Sequence, residues 1–220
     1  MQGKAWLEFR YYRKQKLSHL NTSSAYFYII GLSIGLTLLT NFGLNNYLEP
    51  LLFIKTGFDF QYSALESTFL LNNEWWRLLT PSFLHFSITH LAFNCLWIYI
   101  LGSKIEKLDG TRIFLFIFIL SSVMSNVGQF LWTQQYLFGG LSGGVYGLLG
   151  YCFIIELDGN KGRYGLPEAL YLFMFIWLLI GFTGILSFFG FGNVANTAHL
   201  VGMIAGFVLG LTIKHTFKFQ

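Results

Sequence analysis

Ser142 stands in the run Gly139-Gly140-Leu141-Ser142-Gly143-Gly144-Val145-Tyr146-Gly147, inside a stretch from Ile113 to Ile155 that carries no charged residue. Glycine allows sharp turns and close backbone approach. Gly140-Leu141-Ser142-Gly143 can therefore lead from a loop into a helix whose first, unpaired N–H groups lie beside the serine hydroxyl. A nucleophile with half an oxyanion hole has that form. The alternative is a small-residue stripe, Ser142, Gly143 and Gly147, along which two membrane helices touch. Further polar residues stand in equally apolar surroundings. His90 and Asn94 are four apart and share one helical face, whereas His85, five before His90, is expected to point elsewhere. His199 follows Ala198 and precedes Gly202, Gly206 and Gly210. Imidazole and amide groups are costly in hydrocarbon, so they face a protein interior or a water-filled cavity, either as interhelical hydrogen bonds or as parts of a site.

The composition says what scaffold these residues need. Of 220 residues 54% are apolar and 11% charged, where soluble domains carry about a quarter charged. About 20 apolar residues cross a bilayer. The uncharged runs Leu17–Leu48, Leu78–Ser103, Ile113–Ile155 and Ala169–Ile213 hold one, one, two and two helices. An all-α membrane protein with six transmembrane helices follows, predicted near 26–47, 82–101, 113–132, 142–156, 167–187 and 197–213. Six crossings put both termini on one side. On that topology every Lys and Arg except Lys55 and Arg77 lies on the side of the termini, the asymmetry that marks the cytoplasmic face. The formal net charge of +4 thus reports topology, and no nucleic-acid partner is expected.

The loops carry their own expectations. Residues 1–25, basic and aromatic, are expected to be a cytoplasmic interfacial anchor and not a removed signal peptide, ahead of a helical domain over 26–215. The outer loop Leu48–Arg77 keeps many apolar residues and is expected to lie in the interface, with Arg77 capping or snorkelling. Lys104–Arg112 is expected to be a solvated connection. Thr133–Leu141 is expected to be re-entrant, and the uncharged 187–197 loop is expected to act as a lid. Cys95 and Cys152 are expected to be small core hydrophobes without disulfide or metal.

On this topology helices two, four and six run the same way, so Ser142, His199, His90 and Asn94 fall at one depth. If glycine stripes join helices four and six, Ser142 meets His199, a nucleophile with its base. His90 and Asn94 then supply oxyanion donors together with the Ser142 N–H. No acid in the spans is available to orient His199, so a dyad held by Tyr146 is expected instead of a triad. A transporter would be expected to show an inverted repeat, and the hydropathy has none. A metalloprotease using His85, His90 and His199 lacks the His-Glu-x-x-His helix, and His85 and His90 are expected to point apart.

The sequence resembles the rhomboid intramembrane serine proteases of the compact bacterial six-helix type. The matching residues are Trp76-Arg77, His85-x4-His90-x3-Asn94, Gly140-Leu141-Ser142-Gly143 with Tyr146, and Ala198-His199-x2-Gly202-x3-Gly206. The resemblance implies Ser142 as nucleophile, His199 as base, His90 and Asn94 as oxyanion donors, and His85, Tyr146 and Gly140 in support. It also implies Glu106 as a structural acid. With it come the expectations of single-span membrane-protein substrates in the lipid bilayer, no cofactor or metal, and residence in a bacterial inner membrane.

Overall fold

The structure is a computed structural model, and it describes residues 24–56, 63–157, 161–191 and 194–216. The anchor expected over residues 1–25 lies almost wholly outside them. Six helices carry the fold: α1 Ala25–Leu39, α2 Ile88–Asp109, α3 Thr111–Thr133, α4 Ser142–Glu156, α5 Glu168–Gly181 and α6 Asn196–Thr216. No strand occurs among the described residues. By length and composition α2, α3 and α6 can each cross a membrane, while α1 and α5 are shorter apolar helices.

α4 is the hub. It is apolar all round, and a helix of that kind must be enclosed; from Gly143 to Ile155 only Phe153 is exposed. Its walls are α3 and α6, and small residues set their closeness. A Cβ on Gly202 or Gly206 of α6 would be driven into the Gly143 or Gly147 carbonyl oxygen of α4, and one on Gly210 would lie 2.9 Å from Ile154 Cβ. On the other side Ser125 and Ser121 of α3 lie against Gly143 and Gly147. Glycines inside a helix cost about 0.5–1 kcal/mol each relative to alanine. The dispersion gained where backbones touch offsets that cost. Contacts at each end complete the zipper: the Gln129 side chain of α3 accepts from Ala198 N of α6 at 3.0 Å, and Lys214 Nζ of α6 donates to Ile154 O and Leu157 O at 3.0 and 2.7 Å.

Several boundaries differ from the sequence expectation. α1 stops at Leu39, not near 47, because the chain turns through Asn41 and Phe42 at positive φ and continues as a 3-10 helix, Asn46–Leu51. α2 starts at Ile88, not 82: Thr80–Phe83 is a separate 3-10 turn, and Ser87 caps α2 by accepting from His90 N at 3.2 Å. α2 also runs on through a π-helical stretch, Ile98–Gly102, to Asp109. The expected solvated connection is therefore largely helical. The Asp109 side chain is 0% exposed and accepts from Tyr151 Oη, Tyr164 Oη and Arg163 at 3.0, 2.6 and 2.7 Å. Nearby Glu106 accepts from Ala25 N and Tyr26 N at 3.0 and 3.3 Å. It thereby caps the positive end of α1.

The first loop folds over a second apolar cluster, Phe53, Ile54, Phe69, Phe130 and Phe138. Arg77 neither snorkels nor reaches solvent. Its side chain is 2% exposed and donates to Glu74 at 2.5 Å, Glu49 O at 2.6 Å, Leu52 O at 3.0 Å and the Glu49 carboxylate at 3.2 Å. Four acceptors supplied by the first loop hold the guanidinium inward. Burial alone would raise the Glu74 carboxyl, but hydrogen bonds from Arg77 and Lys55 outweigh it and hold the group below the usual carboxylate range.

Candidate active site

Ser142 is the first residue of α4 because the loop before it is tied down and turned sharply. Gly140 N donates to Pro81 O at 3.1 Å, and a Cβ on Gly139 would lie 2.8 Å from the same carbonyl. Gly140 itself has φ +126°, and a Cβ there would lie 2.7 Å from His90 Cε1 and 3.0 Å from His90 Nε2. Glycine thus serves twice at one position: it takes a left-handed turn, and it leaves room for an imidazole.

The zipper of α4 and α6 then brings the first turn of α6 to Ser142. His199 Nε2 lies 2.7 Å from Ser142 Oγ. The His199 ring stacks on Tyr146, centroids 4.8 Å apart at 28°, and Tyr146 Oη donates to Met174 O of α5 at 3.1 Å. His90 and Asn94, successive turns of α2, face the same place. Asn94 Nδ2 donates to His90 O at 3.1 Å and keeps its second hydrogen. His90 Nε2 is buried and has no partner among the described residues.

His85 corrects the expectation that it points away from His90. It lies in the extended segment before α2, where helical phase does not apply. The turn brings its ring against His90, centroids 5.1 Å apart at 63°. His85 Nδ1 is 3.3 Å from Phe83 O. It backs His90 and does not line the cavity.

The cavity between these groups is about 20 Å³, room for one water at most. Its roof is aromatic. Phe93 of α2 stacks on Trp177 of α5 at 5.0 Å, and Phe191 meets both edge-on at 5.5 and 5.4 Å. Thr89 Oγ1 donates to Gly190 O and fastens the Phe191 segment to α2. Among the described residues no group of three or more His, Cys, Asp or Glu side chains is placed to hold a metal ion.

The family model of the rhomboid domain matches residues 72–216, a span that contains every residue just described. The chain belongs to the rhomboid family. It is 40% identical over 147 residues to a Photorhabdus laumondii protein named rhomboid protease GlpG, covering 66% of this chain and 50% of that one. It is 39% identical over 134 residues to proteins of the same name from Yersinia pestis and Yersinia pseudotuberculosis, covering 61% of this chain and 46% of theirs. The chain spans about half the length of the curated relatives it matches. α1 and most of the first loop lie outside the rhomboid match.

Sequence reasoning passed over three residues of this candidate site. Gln129 fixes the start of α6, and its amide in an uncharged run carried the same signal as Asn94. Met174 and Thr89 act through a backbone carbonyl and a hydroxyl, and nothing in residue type or spacing distinguishes them.

Proposed function

We propose that the protein is an intramembrane serine endopeptidase that cleaves transmembrane segments of membrane proteins near the extracytoplasmic side. The observation that carries this reading is the 2.7 Å approach of His199 Nε2 to Ser142 Oγ at a helix start surrounded by unpaired donors. With the imidazole proton on Nδ1, Nε2 accepts the Ser142 proton as Oγ attacks the scissile carbonyl. The oxyanion takes donors from His90 Nε2, the free hydrogen of Asn94 Nδ2 and Ser142 N. His199 returns its proton to the leaving amine. Water then attacks the acyl-enzyme with His199 again as base. Tyr146 holds the imidazole by stacking, a dyad's substitute for an orienting acid.

All six helices cross the bilayer in this reading, including the short α4 whose first residue lies below the surface. Both termini are cytoplasmic because the basic residues gather there, in a bacterial inner membrane. The first loop, with exposed Leu70, Leu71, Trp75 and Trp76, lies in the outer interface. A cavity of about 20 Å³ cannot hold a peptide. A single-span substrate therefore reaches Ser142 from the lipid after α5 and the Phe191 segment move. Its helix must first unwind locally, because a helical carbonyl is already hydrogen-bonded. The test is labelling of the purified chain by a serine-directed fluorophosphonate, together with cleavage of a single-span substrate in liposomes. Both are expected to disappear in Ser142→Ala with unchanged melting. Labelling that persists in Ser142→Ala overturns the assignment.

A further inference from the structure

A cavity of about 760 Å³ lies at the far end of α2 from Ser142 and takes no part in the proposed chemistry. Its walls are the last turns of α2, the start of α1 and residues 162–165. Lys104 and Lys107, one turn apart and so on one helical face, line it with Arg163, against a single carboxylate, Glu106. That carboxylate is engaged by Ala25 N, Tyr26 N and the Thr111 hydroxyl, and Arg163 faces Asp109 behind the wall. Lys104 Nζ spends one of its three hydrogens on Tyr164 O at 2.7 Å. Lys107 is exposed and bonds to none of the described residues. The other side of the cavity is aromatic: Tyr26 and Tyr99, centroids 5.9 Å apart, with Tyr99 of α2 40% exposed on the apolar flank. The cavity thus joins a cationic end to an aromatic end at the boundary of the apolar belt.

We infer that this cavity binds the phosphodiester headgroup of an anionic glycerophospholipid of the cytoplasmic leaflet, the phosphate on Lys104 and Lys107 and the glycerol backbone against Tyr99. Charge complementarity argues for this occupant. The chain's own first residues, with Lys4, Arg10, Arg13, Lys14 and Lys16 against Glu8, carry the wrong sign for a cationic cavity. Surface lysines near anionic headgroups each favour binding by about fivefold. The inference rests on the proposed membrane orientation and not on the proposed chemistry.

The test uses the full chain purified in a neutral maltoside detergent and titrated with dioleoyl phosphatidylglycerol or dioleoyl phosphatidylcholine, bound lipid being counted by native mass spectrometry. One phosphatidylglycerol per chain is expected, retained at concentrations where phosphatidylcholine is lost. Lys107→Gln is expected to weaken retention about fivefold and Lys104→Gln/Lys107→Gln about 25-fold. Lys161→Gln, the same charge change where Lys161 pairs with Glu168, should leave it unaltered. An equal loss in Lys161→Gln, or equal retention of both lipids, overturns the site. So does displacement by millimolar inorganic phosphate, which would mark an ion site, or retention of neither lipid, which would mean the chain fills the cavity itself. Lys107→Gln touches no described partner, so its result stands even if the double variant fails to fold. Fluorophosphonate labelling run on the same samples separates the two readings: its absence from the wild type would sink the protease and leave the lipid count standing.

Discussion

Replacing Gly140 by alanine tests the site where the loop before α4 meets His90. The new Cβ would arrive 2.7 Å from His90 Cε1 and 3.0 Å from Nε2, where ordinary contact begins at about 3.4 Å. The imidazole must therefore retreat by several tenths of an ångström to about 1 Å, away from the position where an oxyanion would form. A misplacement of that order costs about 100-fold in rate, and complete loss of one oxyanion donor costs about 100- to 1,000-fold. The backbone adds its own effect: φ +126° strains alanine by about 1–2 kcal/mol, or about 2–8 °C of melting temperature in a chain of this size. Gly110→Ala separates the two. Gly110 has φ +92° with nothing within 4 Å of an added Cβ, so it should lose similar stability and no turnover. In liposomes containing a fluorogenic single-span substrate, Gly140→Ala is expected to lower kcat about 100-fold with little change in KM, while Gly110→Ala retains the wild-type kcat. A Gly140→Ala enzyme turning over at the wild-type rate, or losing no more than Gly110→Ala, would refute the assignment of His90 to the oxyanion.

Gly206→Val should lower stability by more than about 3 kcal/mol, since its Cβ collides with the Gly147 carbonyl and overpacking separates the helices; Gly35→Val on α1, with nothing within 4 Å, is the matched control, and equal melting of the two would misplace the zipper. Phe191→Ala removes both edge-on contacts of the roof, and kcat/KM for a single-span substrate should rise severalfold; a fall without loss of folded protein would mean that the ring positions substrate and does not bar it. Glu74→Gln concerns pH. Because the folded carboxyl titrates below its ordinary value of 4.5, its stabilisation is present above about pH 4.5 and is lost as pH falls through the folded value. The wild type should therefore melt above the variant at pH 7, with the difference closing below pH 4.5; a constant gap would contradict the ionic account of the Arg77 node.

How far the sequence reveals this arrangement depends on the kind of interaction. Ser142 and His199 are legible because each opens a helix marked by glycines, and a four-residue spacing of small residues states which faces meet. α4 is legible to the residue, Ser142–Glu156, because the glycine turn at Gly139-Gly140 marks its start and Glu156, the first charge after the uncharged run, marks its end. His85 is not legible, since its direction depends on where α2 starts, and the Ser87 cap puts that start six residues later than hydropathy alone suggests. Hydropathy is equally silent on Arg77 and Asp109, which look like surface charges until the carbonyls and tyrosine hydroxyls that surround them are known. Those partners come from residues up to 55 positions away. Their burial is a tertiary fact.

The glycine zipper has an ambiguity built into it. Glycines at 202, 206 and 210 repeat every four residues, so sliding α6 by one turn against α4 would again set glycine near glycine. Such a slip, about 5.4 Å, would carry His199 out of reach of Ser142. A periodic surface specifies a direction of packing but not a stopping point. The stops here are aperiodic: the Gln129 side chain on Ala198 N at one end and Lys214 on the last carbonyls of α4 at the other. They act as the detents of a ratchet. The repeat makes the helices fit, and two side chains, one beside His199 and one at the far end of α6, select the one notch in which His199 Nε2 comes within hydrogen-bond reach of Ser142 Oγ.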